Sequence, residues 1–323
     1  MLNYHGSREI DRLLAEQLDS VWGDPATWVA NGLQWTHLPE VSASMHAQVS
    51  GDPSVTPLEW FFSVVKTTQP TPVARVLVLG CGQGHVERQI AKYGWAREIL
   101  ATDLSAKVLE VARANAVAAN APIKYVQADM NCLPVGHPGF EPGSFDVVLG
   151  VSCVHHCADL ENLYASILKL LSPSGWLFLD EYVGPDRFQY PNNQVRFMNQ
   201  LLDILPERLR KTRDGRIKGN LWRPSVEEVI EVDPSEAIRS FDILPLLDRH
   251  FDIYERRPYG GALLRVVLAD IAQNFKDKAS EAYLHSLLQA EDDLFRAGRL
   301  QRDLACVIAH VPTAASASPT EGR

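Results

Sequence analysis

The segment Val76-Leu-Val-Leu-Gly80-Cys-Gly82-Gln-Gly84 constrains the fold more than any other part of the chain. An apolar, partly β-branched run leads directly into three alternating glycines, and helical patterning follows at once. This reads as a buried strand, a tight turn and the start of a helix. Glycines let a backbone approach a ligand with no Cβ in the way, and the first turn of a helix presents free N–H groups. A nucleotide-type ligand is implied. The dinucleotide fingerprint G-x-G-x-x-G places its third glycine one residue later, which weakens a nicotinamide reading.

From Val73 onward, short apolar runs alternate with helical windows, as in a parallel sheet with crossover helices. Candidate strands are Arg75–Leu79, Glu98–Asp103, Ile123–Gln127, Phe145–Gly150 and Trp176–Tyr182, with helices expected over Gly84–Tyr93, Ala106–Asn120 and Asp159–Leu171. Near-continuous hydrophobicity marks strands buried on both faces, so the fold class is a doubly wound α/β domain. Residues 71–184 form this core, closed off upstream by the proline-rich Gln69-Pro70-Thr71-Pro72. Residues 1–70 read as a helical cap, patterned around Ile10, Leu13, Leu14, Leu18 and Trp22, with turns and then an apolar segment, Leu58–Val65. Residues 185–250 read as a helical insertion or lid over the site, with helices at Asn193–Arg210 and Pro234–Arg249. Residues 251–312 complete the sheet with strands Phe251–Arg257 and Ala305–Val311 around helices Gly261–Phe275 and Ser280–Ala297, and the tail 313–323 is expected to fray.

Composition narrows the function classes. Thirty-one Lys and Arg against 40 Asp and Glu give a net charge of −9, which argues against a chain that coats nucleic acid or anionic lipid. Apolar runs such as Val147–Val151 are far too short to span a bilayer. No cationic segment followed by an apolar one opens the chain, and the odd count of 5 cysteines fits a reducing compartment. A cytoplasmic protein without membrane or nucleic-acid partners is expected, and a homodimer is left open.

Two carboxylates at strand ends add to the glycine turn. Asp103 ends the second candidate strand about twenty residues on, where an acidic side chain can bind both ribose hydroxyls. It could instead cap the next helix, but Ser105 can supply that cap. Asp129, in Val126-Gln-Ala-Asp129-Met130, could accept from an adenine amino group or serve as a solvated turn residue. Together these motifs resemble the class I S-adenosylmethionine-dependent methyltransferases, in their small-molecule branch. The resemblance continues through Phe145-Asp-Val-Val-Leu-Gly-Val-Ser152 and Leu171-Ser-Pro-Ser-Gly175-Trp-Leu, and covers Val73–Tyr182. It implies a Rossmann-like methyltransferase sheet and S-adenosylmethionine as cofactor. It assigns Gly80, Gly82 and Gly84 to the methionine and ribose portions, Asp103 to the ribose, and Asp129 with Met130 to adenine. Their neighbours Cys81, Leu104 and Val151 complete the candidate cofactor-binding set.

Ligands in this fold sit at the carboxyl ends of the strands, so Ser152-Cys-Val-His155-His156-Cys157 and Glu181-Tyr182 face the reacting centre. His155 or His156 could be a general base, or the pair could pack and orient the following helix. Of the two, His155 is expected to matter more because it lies nearer the strand end. Glu181 and Tyr182 could hold the acceptor, or Glu181 could pair with an arginine while Tyr182 is core. Cys153, His155, His156 and Cys157 lie in one short stretch with no second ligand cluster in the sequence, so no metal site is expected. The basic run Arg208, Arg210, Lys211, Arg213, Arg216 and Lys218 could recognise an anionic acceptor or form a solvated face. Trp22, Trp28, Trp35 and Trp60 could line an acceptor pocket, with core packing the default. The expected activity is methyl transfer to oxygen or nitrogen of a small metabolite. The alternatives are intramolecular cyclisation of the cofactor to azetidine-2-carboxylate and methylthioadenosine, and cofactor binding without catalysis.

Overall fold

The structure, a computed structural model, describes residues 12–22 and 33–312. Its centre is one seven-stranded sheet in the order β3-β2-β1-β4-β5-β7-β6. The strands are β1 Val73–Leu79, β2 Ala96–Asp103, β3 Ile123–Gln127, β4 Phe145–Val151, β5 Leu171–Tyr182, β6 Asp252–Tyr259 and β7 Leu304–His310. The first five pair in parallel, and β7 lies antiparallel between β5 and β6. All seven strands overlap the candidate runs. The insertion of β7 between β5 and β6 is a tertiary feature with no local signature.

The helices, in chain order, are α1 Arg12–Trp22, α2 Pro39–Ser50, α3 Pro57–Thr68, α4 His85–Tyr93, α5 Ala106–Ala118, α6 Leu160–Leu170, α7 Asn192–Asp203, α8 Val226–Val232, α9 Ile243–His250, α10 Leu264–Val267 and α11 Lys278–Arg296. Crossing over after β1, β2 and β4, helices α4, α5 and α6 cover the two faces of the sheet. Two cores result: one joins Leu77, Val148 and Leu179 to Leu160, Tyr164 and Ile167 of α6. The other joins Val76, Val78 and Phe178 to Phe61, Phe62 and Val65 of α3.

Several elements outside the sheet differ from the sequence expectation. The helix expected over Asn193–Arg210 ends at Asp203, because Pro206 disfavours a helical residue before it and only a short 3-10 turn follows at Glu207–Leu209. The window Pro234–Arg249 is helical only from Ile243, after a 3-10 turn at Ser240–Asp242, since Ala237 takes a left-handed φ of 47°. Gly261–Phe275 reduces to the four-residue α10 and a 3-10 turn at Ala272–Asn274. Helices α2 and α8 are additions. Helix α8 starts on a capping box in which Ser225 accepts from the Glu228 N–H and Glu228 accepts from the Ser225 N–H.

A third core gathers Trp35, Leu38 and Val41 from the expected cap, Phe197 and Leu201 from the expected insertion, and Leu284 and Leu287 of α11. These three sequence segments therefore pack as one helical layer beside the sheet. Ile10, Trp28 and the tail 313–323 lie outside the described residues.

Candidate functional site

The carboxyl ends of β1 to β4 open onto one crevice holding about 790 Å³ of empty space, its mouth included. Gly80 and Gly82 on its floor have φ of 50° and 53°, the left-handed region that glycine enters without a Cβ penalty. Their roles differ. A Cβ on Gly80 would lie 2.4 Å from the Cβ of Cys153, whereas nothing lies within 4 Å of one on Gly82. Gly80 thus lets the ends of β1 and β4 close up, and Gly82 leaves open space above the backbone. Gly84, at the start of α4, is packed against Tyr125, Glu87 and Arg88 and does not line the crevice.

Asp103 stands where β2 ends. One carboxylate oxygen accepts from the Gly82 N–H and the other from the Ser105 N–H, both at 2.9 Å. Burial pushes its carboxyl up, and those N–H groups oppose the shift. A carboxylate offers about four acceptor directions, so about two remain for a ligand. Helix capping falls to Ser105, whose Oγ accepts from the Val108 N–H at 3.1 Å and donates to Asp19 of α1. Asp129, Met130 and Leu104 also line the crevice. One Asp129 oxygen accepts from the backbone and side-chain amides of Asn131, both at 2.8 Å. Cys81 and Val151 pack instead into the core beneath β1 and β4, and neither is among the lining residues.

Leu14, Leu18 and Trp22 of α1 roof the crevice together with Ser235. Trp22 donates from Nε1 to Asp233 at 2.9 Å, which ties the roof to the segment before α9. Trp35 and Trp60 pack into cores, so of the described tryptophans proposed as pocket lining only Trp22 reaches it.

Contrary to the expectation that His155 leads, His156 is the histidine on the crevice wall. Its Nδ1 lies 2.9 Å from the Ser235 hydroxyl and 3.6 Å from Asp233. Burial, then the charge of His155, lowers its pKa. His155 sits behind it, with Nδ1 2.8 Å from Glu181 and Nε2 3.6 Å from Glu236. Burial alone would depress His155, but the Glu181 hydrogen bond and charge prevail and raise it.

Glu181 and Tyr182 do not reach the crevice. Glu181 is buried and also accepts from the N–H groups of Cys153 and Val154, both at 2.7 Å, so its partners are the His155 ring and the backbone rather than an arginine. Tyr182 donates its hydroxyl to the Pro185 carbonyl at 3.0 Å, with Arg265 4.6 Å over its ring. In the basic run, Arg208, Arg213 and Arg216 face Asp277, Asp270 and Asp214. Lys218 donates to the Val266 and Ala269 carbonyls, and burial lowers its pKa to about 8. None of the run lines the crevice.

Residues 77–179 match a family described as a methyltransferase domain, and the sheet around them has the glycine floor and acidic strand end that the motifs imply. Those residues form a methyltransferase domain. Relatives of this domain include the ubiquinone biosynthesis O-methyltransferase of Albidiferax ferrireducens, 30% identical over 122 residues, which are 38% of this chain and 44% of that protein. Sterol 24-C-methyltransferase ERG6B of Gibberella zeae is 32% identical over 125 residues, 36% of this chain and 31% of that protein. The chain spans less than half the length of these curated relatives. Among solved structures, phosphoethanolamine N-methyltransferase 2 of Haemonchus contortus aligns over 93% of this chain and 60% of its own, at 17% identity and a TM-score of 0.47. Class I methyltransferases use S-adenosylmethionine, and the donor set of the crevice suits it. Open space over Gly82, spare acceptor directions on Asp103 for vicinal hydroxyls, and Asp129 beside apolar Leu104 and Met130 match a nucleoside with a polar tail.

Proposed function

We propose that this methyltransferase domain acts on a small metabolite and methylates one of its oxygen or nitrogen atoms. The observation that carries the reading is the roofed crevice itself: Gly82 and Asp103 on the floor, His156 on the wall, and α1 above. S-adenosylmethionine, when bound, supplies an electrophilic methyl group on a positively charged sulfur. Asp103 would hold the ribose hydroxyls, while Asp129 and Met130 meet the base. Leu14, Leu18 and Trp22 line the crevice with largely apolar surface and would keep water from the reacting atoms, which favours an aligned acceptor over hydrolysis. Burial and the charge of the neighbouring His155 lower the His156 pKa, so the wall it forms is polar without adding a charge of its own. A roofed crevice on a chain of net charge −9 supports a small cytoplasmic metabolite over a nucleic acid. The printed names of the relatives cover O-, C- and N-methylation, so the choice of oxygen or nitrogen rests on the polar wall at His156.

The test is to incubate the purified protein with methyl-labelled S-adenosylmethionine and a bacterial metabolite extract, then fractionate by size. Label is expected in the small-molecule fraction. Label confined to protein or nucleic acid, or no transfer from a cofactor shown to bind, would sink the reading.

A further inference from the structure

From the side chains behind the crevice wall, we propose a second ligand site: a divalent transition-metal site of the zinc class, held by His155, His156 and Glu236. One donor atom from each of these residues lies within 4.8 Å of the others. In the sequence, no second ligand cluster accompanies the stretch from Cys153 to Cys157. The fold supplies a distant ligand, since the Ile238 N–H donates to the His155 carbonyl at 3.1 Å and so brings the loop carrying Glu236 against the pair. The cysteines are not part of it: Cys153 Sγ faces the Leu79 carbonyl and Cys157 Sγ faces Asn131.

The hydrogen bonds around the two rings are those that orient metal-binding imidazoles. Both rings are engaged through Nδ1, His155 by Glu181 at 2.8 Å and His156 by the Ser235 hydroxyl at 2.9 Å. Ser235 is itself fixed by Asp233, to which its hydroxyl donates at 2.6 Å. Each ring is left with Nε2 for a ligand, and an orienting carboxylate or hydroxyl on the far nitrogen is the usual partner of a metal-bound histidine. No described residue donates a hydrogen bond to the Glu236 carboxylate, and its contact with His155 Nε2 is long, at 3.6 Å. Two donors each ~2.1 Å from a tetrahedral zinc ion stand roughly 3.4 Å apart. The His155–Glu236 spacing therefore already suits a shared ion, and the His156 donor has at most about 1.4 Å to close. Local charge also favours a cation: Glu181, Asp233 and Glu236 act on the pair, against the guanidinium groups of Arg265 and Arg187 nearby.

Two imidazoles and a carboxylate leave a coordination position open, as in catalytic rather than structural zinc sites. His156 is shared with the crevice wall, so an oxygen or nitrogen of the acceptor would take that position. This role rests on the methyl-transfer reading, whereas the metal site itself rests on the side-chain geometry.

The experiment uses the full chain, stripped with a chelator and dialysed, then titrated with Co²⁺ while its visible d–d absorption is followed. One equivalent should bind and be displaced by Zn²⁺. Glu236→Ala should weaken binding at least 100-fold, and Ser235→Ala, which frees the His156 ring, about 10- to 100-fold. Calorimetry with S-adenosylmethionine on the stripped wild type and on Glu236→Ala, whose side chain does not line the crevice, is the parallel arm. Retained cofactor binding with lost cobalt binding in Glu236→Ala supports the site. Absence of stoichiometric cobalt binding in wild type, or equal binding in wild type and both variants, overturns it. Failure of the cofactor to bind stripped wild type would count against the methyl-transfer reading alone.

Discussion

Trp22 Nε1 and Asp233 are joined by a 2.9 Å hydrogen bond across 211 positions of sequence. The bond closes the crevice from above, because Trp22 belongs to the roof helix and Asp233 holds the Ser235 that orients His156. The Trp22 ring also stands edge-on to His156, 6.0 Å between centroids. Trp22→Phe keeps an aromatic ring and removes the donor. A hydrogen bond to a charged group contributes about 1.5–3 kcal/mol. S-adenosylmethionine affinity measured by calorimetry is expected to fall by roughly 10- to 150-fold, with the circular dichroism of the sheet unchanged. Unchanged affinity would separate the roof from ligand binding.

Asp103→Ala removes the acceptor proposed for the ribose hydroxyls. Leaving those hydroxyls unpaired in a closed site costs about 2–3 kcal/mol, or roughly 30- to 150-fold in affinity. Calorimetry reads this directly, and wild-type affinity in the variant would remove Asp103 from the cofactor site.

The two floor glycines should part company when each is changed to alanine. At Gly80 the new Cβ would collide with Cys153 at 2.4 Å, so Gly80→Ala is expected to lower the thermal midpoint by several degrees. At Gly82 the Cβ meets nothing within 4 Å, and the cost of the 53° φ is about 1–2 kcal/mol. Gly82→Ala should therefore stay folded while losing affinity for the cofactor. A Gly82 variant with full affinity would show that the open space over that residue is not ligand space.

Much of this floor was legible in the sequence, because glycine turns and strand-end carboxylates carry their chemistry locally. Gly80, Gly82, Asp103, Leu104, Asp129 and Met130 line one crevice as a consequence of parallel strands ending at one edge. The roles of His155 and His156 were not legible. Which ring faces the ligand depends on the 3-10 turn Val154–His156, and Glu236 reaches the pair only through the loop before α9. Helix α2 was overlooked for another reason. Its buried residues Val41 and Val49 are separated by a mix of serine, alanine, histidine and glutamine with Met45 the one large apolar side chain, although Pro39 at its start and Gly51 at its left-handed end were both visible signals. The roof contact of Trp22 had no local signature at all.

Glu291 of α11 gives a pH prediction remote from the crevice. It accepts from the N–H groups of Leu263 at 2.7 Å and Leu264 at 3.1 Å, and burial pushes its carboxyl up from 4.5 to about 7. The folded protein thus keeps a proton that the unfolded chain gives up. The contribution to stability is full below pH 4.5 and is lost as pH rises through about 7. Glu291→Gln retains an acceptor oxygen and cannot ionise. Relative to wild type, the variant is expected to gain about 3 kcal/mol between pH 4 and pH 8 in urea denaturation. The same difference at both pH values would contradict a proton held by the fold.

The central claim is transfer of the methyl group to a second molecule, and the nucleoside product reports on it most directly. Purified protein is incubated with S-adenosylmethionine, with and without a small-molecule extract, and the nucleosides are identified by mass spectrometry. Adenosylhomocysteine that accumulates only when the extract is present is the predicted result. Methylthioadenosine formed from the cofactor and protein alone would contradict it, because the bond broken would then be to the aminocarboxypropyl carbon rather than to the methyl.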